Sequence, residues 1–274
     1  MLRRFEAQLK DTKAAVTYKP ELDTAIVHHK NGEVLPKSKF IAIALHGAGS
    51  QHSNSGSWIH NVPTFEAIGG SLIAPDVPGA SLAPGYDGAN GYIEHVHRII
   101  EHYKKTYNLP IVLVGRSFGS TMARELSLKY PNDANVIILG SYSNPFTTPE
   151  QIENLKAQER RKEITIFWPS LQGYVDITKD IRKRLRQRNT QYPSKNRNGQ
   201  TNVFYIQGDE DQDGGNNVIE DLKSFTQNHD RDAEKFFIPG LDHFIFNPKN
   251  VIVRQQVFPY LQAIIHDALG IESP

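Results

Sequence analysis

An α/β architecture, with a mostly parallel sheet of about eight strands flanked by helices, is predicted by the alternation of two hydrophobic periodicities along the chain. Short β-rich runs recur at residues 14–18, 24–29, 40–45, 71–74, 111–114, 135–139, 203–206 and 235–238. Several are apolar throughout and end in Gly or Pro, the pattern of strands covered on both faces. Between them lie segments of helical spacing at 58–68, 92–107, 117–130, 217–228 and 251–269. In 92–107, Ile93, Val96, Ile99, Ile100 and Tyr103 recur at three- and four-residue steps and build one apolar stripe.

The alternation breaks between Pro145 and Gln200, where no strand pattern stands out and two helices are expected, at 149–163 and 176–188. This reads as a helical cap, residues 145–200, inserted into a core built from residues 1–144 and 201–274. In the second cap helix Ile177, Ile181 and Leu185 share a stripe, while Lys179, Arg182, Lys183, Arg184, Arg186 and Arg188 crowd the rest. Residues 151–200 hold 12 Lys plus Arg against 5 Asp plus Glu, and residues 201–274 hold 5 against 12, so the two stretches carry opposite net charge and attraction between them is one expectation. Pairing with that acidic part, or plain solvation, is the ordinary role of the basic helix; facing an anionic substrate or a phospholipid surface is the alternative. Phe146, Trp168 and Pro169 suit an acyl pocket, or simple core.

Composition removes whole classes of function. The chain has 274 residues, 31 Lys plus Arg and 30 Asp plus Glu, a net charge of +1 that gives no field to gather nucleic acid. Absence of cysteine excludes disulfides, thiol catalysis and thiolate metal sites, and fits a cytoplasmic address. The N-terminal MLRRFEAQLKDTK places charges where a signal peptide needs an apolar stretch. Nowhere does an uncharged apolar run approach the roughly 18 residues of a membrane span. Expected, then, is a soluble protein with no membrane span, no nucleic-acid partner, and no internal repeat that would suggest a solenoid.

The chemistry concentrates at residues 111–120. Ile111-Val112-Leu113-Val114 is an apolar strand, Gly115-Arg116-Ser117-Phe118-Gly119 is a G-x-S-x-G turn, and a helix follows through Met122, Leu126 and Leu128. So sharp a strand-to-helix turn strains the serine backbone and lifts its hydroxyl above the sheet edge, while glycines let strand and helix approach. The helix N-terminus adds N–H groups and partial positive charge where an oxyanion would form. Upstream, after the strand at 40–45, stands His46-Gly47-Ala48-Gly49. There the Ala48 N–H is positioned to join that of Phe118 in an oxyanion hole. A glycine-bracketed turn whose serine only caps the helix is the plainer alternative.

Together these motifs resemble the α/β-hydrolase superfamily over residues 40–269, and Asp76-Val77-Pro78-Gly79 is similar to its D-x-P-G turn, with Ala80-Ser81 departing from the commonest form. The resemblance implies the α/β-hydrolase fold and acyl-enzyme chemistry at Ser117. Arg116, less usual than histidine before the nucleophile, leaves the substrate open. A serine hydroxyl needs a base at neutral pH. Of eleven histidines, His243 in Pro239-Gly240-Leu241-Asp242-His243-Phe244 stands where the family places it, before the last helix. His28, His29, His95, His97 and His102 read as surface or core-edge residues.

The third member is expected in Gln207-Gly208-Asp209-Glu210-Asp211-Gln212-Asp213-Gly214. The family pattern G-x-x-D points to Asp211, with Asp209 second. The same loop matches a calcium pattern through Asp209, Asp211, Asp213, Gly214 and Glu220, but a strand rather than a helix enters it, and a cation would draw Asp211 away from imidazole. No metal and no cofactor are therefore expected. The function expected is hydrolysis of a carboxylic ester or related acyl bond in a small molecule. Amide or peptide and thioester cleavage on the same triad are the alternatives, together with a catalytically silent binding module.

Overall fold

The computed structural model describes residues 12–47, 55–76, 88–142, 153, 157, 202–211, 222–223, 226–227 and 232–272. Among them are the eight expected strands: β1 (Ala14–Lys19), β2 (Thr24–His29), β3 (Phe40–Leu45), β4 (Gly70–Pro75), β5 (Ile111–Arg116), β6 (Val136–Gly140), β7 (Val203–Gly208) and β8 (Glu234–Ile238). They form one sheet in the order β1-β2-β4-β3-β5-β6-β7-β8. From β4 to β8 every pairing is parallel, whereas β1 and β2 form an antiparallel pair that joins β4 through Ile26 and Val27.

Apolar residues run through the central strands without alternation because both faces are covered. Along β3, Ile41, Ile43 and Leu45 enter one core and Phe40, Ala42 and Ala44 the other. Helices α2 (Gly88–Tyr107) and α3 (Phe118–Lys129) cover the first face, through the stripe from Tyr92 to Tyr103 and through Met122 and Leu126. Helices α1 (Val62–Ala67) and α4 (Phe258–Leu269) cover the second, with Phe65, Leu261 and Ile265 fully interior.

Two helices depart from their expected course, and a proline stands at each departure. The segment 58–68 opens as a tight three-residue-per-turn helix, Ser55–Asn61, and becomes α-helical only at Val62, beside Pro63. The segment 251–269 widens into a π-helical turn at Val253–Val257 before Pro259, which has no N–H to donate and crowds the carbonyl four residues back. Within 217–228, residues 222–223 and 226–227 are helical. The cap at 145–200 lies outside the described residues except for Glu153 and Ala157. No described helix is long and apolar enough to cross a membrane.

The sheet order reverses beside β3, which pairs with β4 on one side and β5 on the other. A crevice opens outside the carboxyl ends of strands at such a point, because their connections depart in opposite directions. Both His46-Gly47 and Ser117 leave the sheet there, after β3 and β5.

His28, His29 and His95 are more deeply placed than edge residues, all three buried. His28 sits between the Thr17 hydroxyl at 2.8 Å and the His29 carbonyl at 2.7 Å. His97 stacks on Tyr130 and meets Asp133 at 2.7 Å, and His102 sets its edge against Tyr103. Burial holds His28, His29 and His46 below the usual imidazole range and pushes His95 down to about 4. These rings fold neutral, whereas in the unfolded chain they take up protons as pH falls below about 6.5. The unfolded state thus binds more protons between about pH 6.5 and 4, and stability must fall as pH drops through that window. Urea midpoints should decline from pH 7 to pH 5, and replacing His95 by Gln should flatten the decline.

Candidate active site

The site is built on the turn between β5 and α3. Ser117 has φ 55° and ψ −127°, a conformation that costs a non-glycine residue of order 1–3 kcal/mol. The surroundings impose it. A Cβ on Gly119 would lie 2.4 Å from the Leu45 carbonyl oxygen, and one on Gly115 would lie 2.5 Å from the Gly119 oxygen. Strand and helix therefore meet backbone to backbone, and the serine between them must turn sharply. Its N–H donates to the Gly140 carbonyl of β6 at 2.9 Å, and the Ser120 hydroxyl donates to the same oxygen at 2.6 Å. Ser117 remains partly exposed, and the Gly47 backbone runs beside its side chain, with only 3.5 Å from a Cβ built there to Oγ.

At the far end of the chain, His243 reaches the same region in the loop after β8. Its Nδ1 lies 3.0 Å from Oδ2 and 3.1 Å from Oδ1 of Asp211, which follows β7. A carboxylate oxygen accepts, so the imidazole donates to Asp211 from Nδ1. The Asp211 side chain is 1% exposed and the imidazole 14%, a buried acid beneath a ring that still meets the surface. The loop is anchored along its length. Gly240 N–H donates to Asp209 Oδ1 at 2.7 Å, the Ser141 hydroxyl donates to the His243 carbonyl at 2.8 Å, and the Asn61 amide donates to the Phe246 carbonyl at 2.7 Å.

No protein-family model matches the chain. Abhydrolase domain-containing protein abhd-5.2 of Caenorhabditis elegans is 28% identical over 154 residues, 54% of this chain but only 33% of that protein, so the match spans about a third of the relative's length. Among solved structures, a soluble variant of monoglyceride lipase from Saccharomyces cerevisiae in complex with a substrate analog has a TM-score of 0.69 at 14% identity, over 95% of this chain and 97% of that one. The chain has the α/β-hydrolase fold. A carboxylesterase structure from the ammonia-oxidizing thaumarchaeon Nitrososphaera gargenis matches at TM-score 0.60 and 15% identity, covering 92% of this chain and all of that one.

Within this α/β-hydrolase fold the two aspartates expected as rivals have different partners: Asp211 meets the imidazole, and Asp209 fixes the turn that leads to it. Both described members of the calcium pattern are thus engaged elsewhere, while Asp213, Gly214 and Glu220 lie outside the described residues. Ala48 also lies outside them, as do Val77, Pro78 and Gly79 of the D-x-P-G turn, whereas Phe118 opens α3 immediately after Ser117. Buried Asp76 accepts the Ser55 N–H at 2.7 Å. His46, fully interior, donates from Nδ1 to the Gly47 carbonyl at 2.8 Å, and burial pushes the Arg116 guanidinium down to about 10.

Two residues beyond the expected set support the site. Gln207, wholly buried, donates from Nε2 to Asp211 Oδ2 at 2.5 Å, and Ser141 holds the His243 carbonyl from a left-handed φ of 44°. A polar Gln ending an otherwise apolar strand was the available signal for the first. Among the described residues, His97, Glu101 and Asp133 form the group that could take a metal ion. They sit by the start of β6, at the opposite end of the sheet from Ser117, with Asp133 already on His97 and Glu101 on Lys104.

Replacing Gly119 by Ala should break the close contact with β3. The cost should be at least the ~1–3 kcal/mol typical of overpacking, measured by urea unfolding.

Proposed function

We propose that this chain is a serine hydrolase that cleaves a carboxylic ester of a small molecule through an acyl-enzyme, with Ser117 as nucleophile, His243 as base, Asp211 as its orienting acid, and the N–H groups of Ala48 and Phe118 as oxyanion donors. The supporting observation is a shared anchor. Gly140 accepts the N–H of Ser117, and the next residue, Ser141, donates to the carbonyl of His243. Residues from the middle and the end of the chain thus hang from one dipeptide at the exit of β6. Ester cleavage is ranked first because the yeast monoglyceride lipase and the thaumarchaeal carboxylesterase share the fold.

In this reading, Nε2 of His243 accepts the Ser117 hydroxyl proton as Oγ attacks the carbonyl carbon. The tetrahedral oxyanion rests against the backbone donors, near the positive end of α3. Imidazolium then protonates the departing alcohol, and water, deprotonated by the same ring, attacks the acyl-enzyme and returns Ser117. Asp211 stabilises the imidazolium without taking its proton.

Replacing Ser117 by Ala should abolish turnover of p-nitrophenyl esters and labelling by a fluorophosphonate, with an unchanged circular dichroism spectrum. Wild-type rates in that variant would defeat the assignment. Asp211→Asn should lower kcat by roughly 10³–10⁴-fold through loss of the correct tautomer, and Asp209→Asn by far less.

A further inference from the structure

We propose that Gln207 is a positioning residue of this site, its amide holding the Asp211 carboxylate as an ionised acceptor turned toward His243. The inference rests on the triad reading above and adds to it the group that orients the acid.

Gln207 is the fifth residue of β7, follows the largely apolar run Val203–Ile206, and is completely buried. A buried amide is destabilising unless both of its ends are satisfied. Here both are. Oε1 accepts the backbone N–H of Tyr142 at 3.1 Å, and Nε2 donates to Asp211 Oδ2 at 2.5 Å. The orientation of the amide follows from chemistry. A backbone N–H is only a donor, so the amide oxygen must face Tyr142 and the NH₂ group must face Asp211. A donor there favours the ionised carboxylate, whose oxygens accept more strongly than those of a neutral carboxyl.

The Asp211 N–H donates to the Gly208 carbonyl at 3.4 Å. Two side chains meet the carboxylate from different elements, Gln207 from the strand and His243 from the facing loop. Gln207 also ties the acid to the frame of the other two residues. Its oxygen is bound to Tyr142, which directly follows the Gly140 and Ser141 that anchor Ser117 and His243.

Two variants test this with p-nitrophenyl ester kinetics. Gln207→Leu removes both bonds at similar volume and should lower kcat about 10–100-fold, the usual scale for losing such a supporting bond, with KM within about threefold. Gln207→Glu gives a signature that a merely structural role would not. Its carboxyl can donate to Asp211 while protonated and repels it once ionised, so kcat relative to wild type should fall as pH rises. The corresponding ratio for Gln207→Leu should stay flat. Among the described residues, the titratable groups on the surrounding segments are Asp209, Glu210, Asp211, Glu234, Lys235, Asp242, His243, Tyr142 and Tyr205. Taking the ratio to wild type cancels their own titration.

A kcat within twofold of wild type for Gln207→Leu, or a pH-independent ratio for Gln207→Glu, overturns the proposal. If the Leu variant fails to fold by circular dichroism, the pH ratio of the Glu variant decides. A wild-type chain that hydrolyses no ester and takes up no fluorophosphonate defeats the triad reading, and the role of Gln207 with it. Wild-type turnover with unaltered variants defeats the role of Gln207 alone.

Discussion

Backbone meets backbone where β5 passes into α3, and the geometry of the site follows from that contact. Gly119 lies against the carbonyls of Leu45 and His46, and Gly115 lies against Gly119 itself, leaving no space for a side chain at either position. With strand and helix so close, Ser117 bridges them with a strained positive φ. The strain is offset by the Gly140 carbonyl, which accepts two hydrogen bonds from the turn, and by the burial of Met122, Ala123 and Leu126 behind it. A turn held this firmly keeps Ser117 at the carboxyl edge of the sheet.

The exit of β6 is the second fixed point. Gly140, Ser141 and Tyr142 are consecutive, and they bind Ser117, His243 and Gln207 in turn. Ser141 itself has a positive φ, so the peptide plane changes direction within the segment and presents donors and acceptors to three different elements. Preorganisation of this kind needs rigid support, and the supporting strand is apolar and buried from Val136 to Leu139.

Two aspartates in one short loop divide the work between them. Asp209 is spent on the turn at Gly240, a local bond that sets the path of the following loop. Asp211 is almost wholly enclosed, and its oxygens meet an imidazole and an amide. Enclosure strengthens each of these contacts, since water is not there to compete, and it would equally penalise the carboxylate if either partner were missing.

All eight strands and the strand–turn–helix at Ser117 could be read from the sequence, because burial on both faces imposes continuous apolar runs and a tight turn imposes glycine at fixed offsets. Those signals are local. Helix geometry at Pro63 and Pro259 was less legible, since a missing N–H shifts the hydrogen-bonding pattern without altering the apolar stripe. The choice between Asp209 and Asp211 as partner of His243, and the parts of Gln207 and Ser141, belonged to the tertiary structure. Each depends on hydrogen bonds between residues 31 to 102 positions apart, or on the direction in which a loop side chain turns. Sequence spacing sets the period of an element and the residues its turns require, whereas the meeting of separate loops is decided only when the sheet brings their strands side by side.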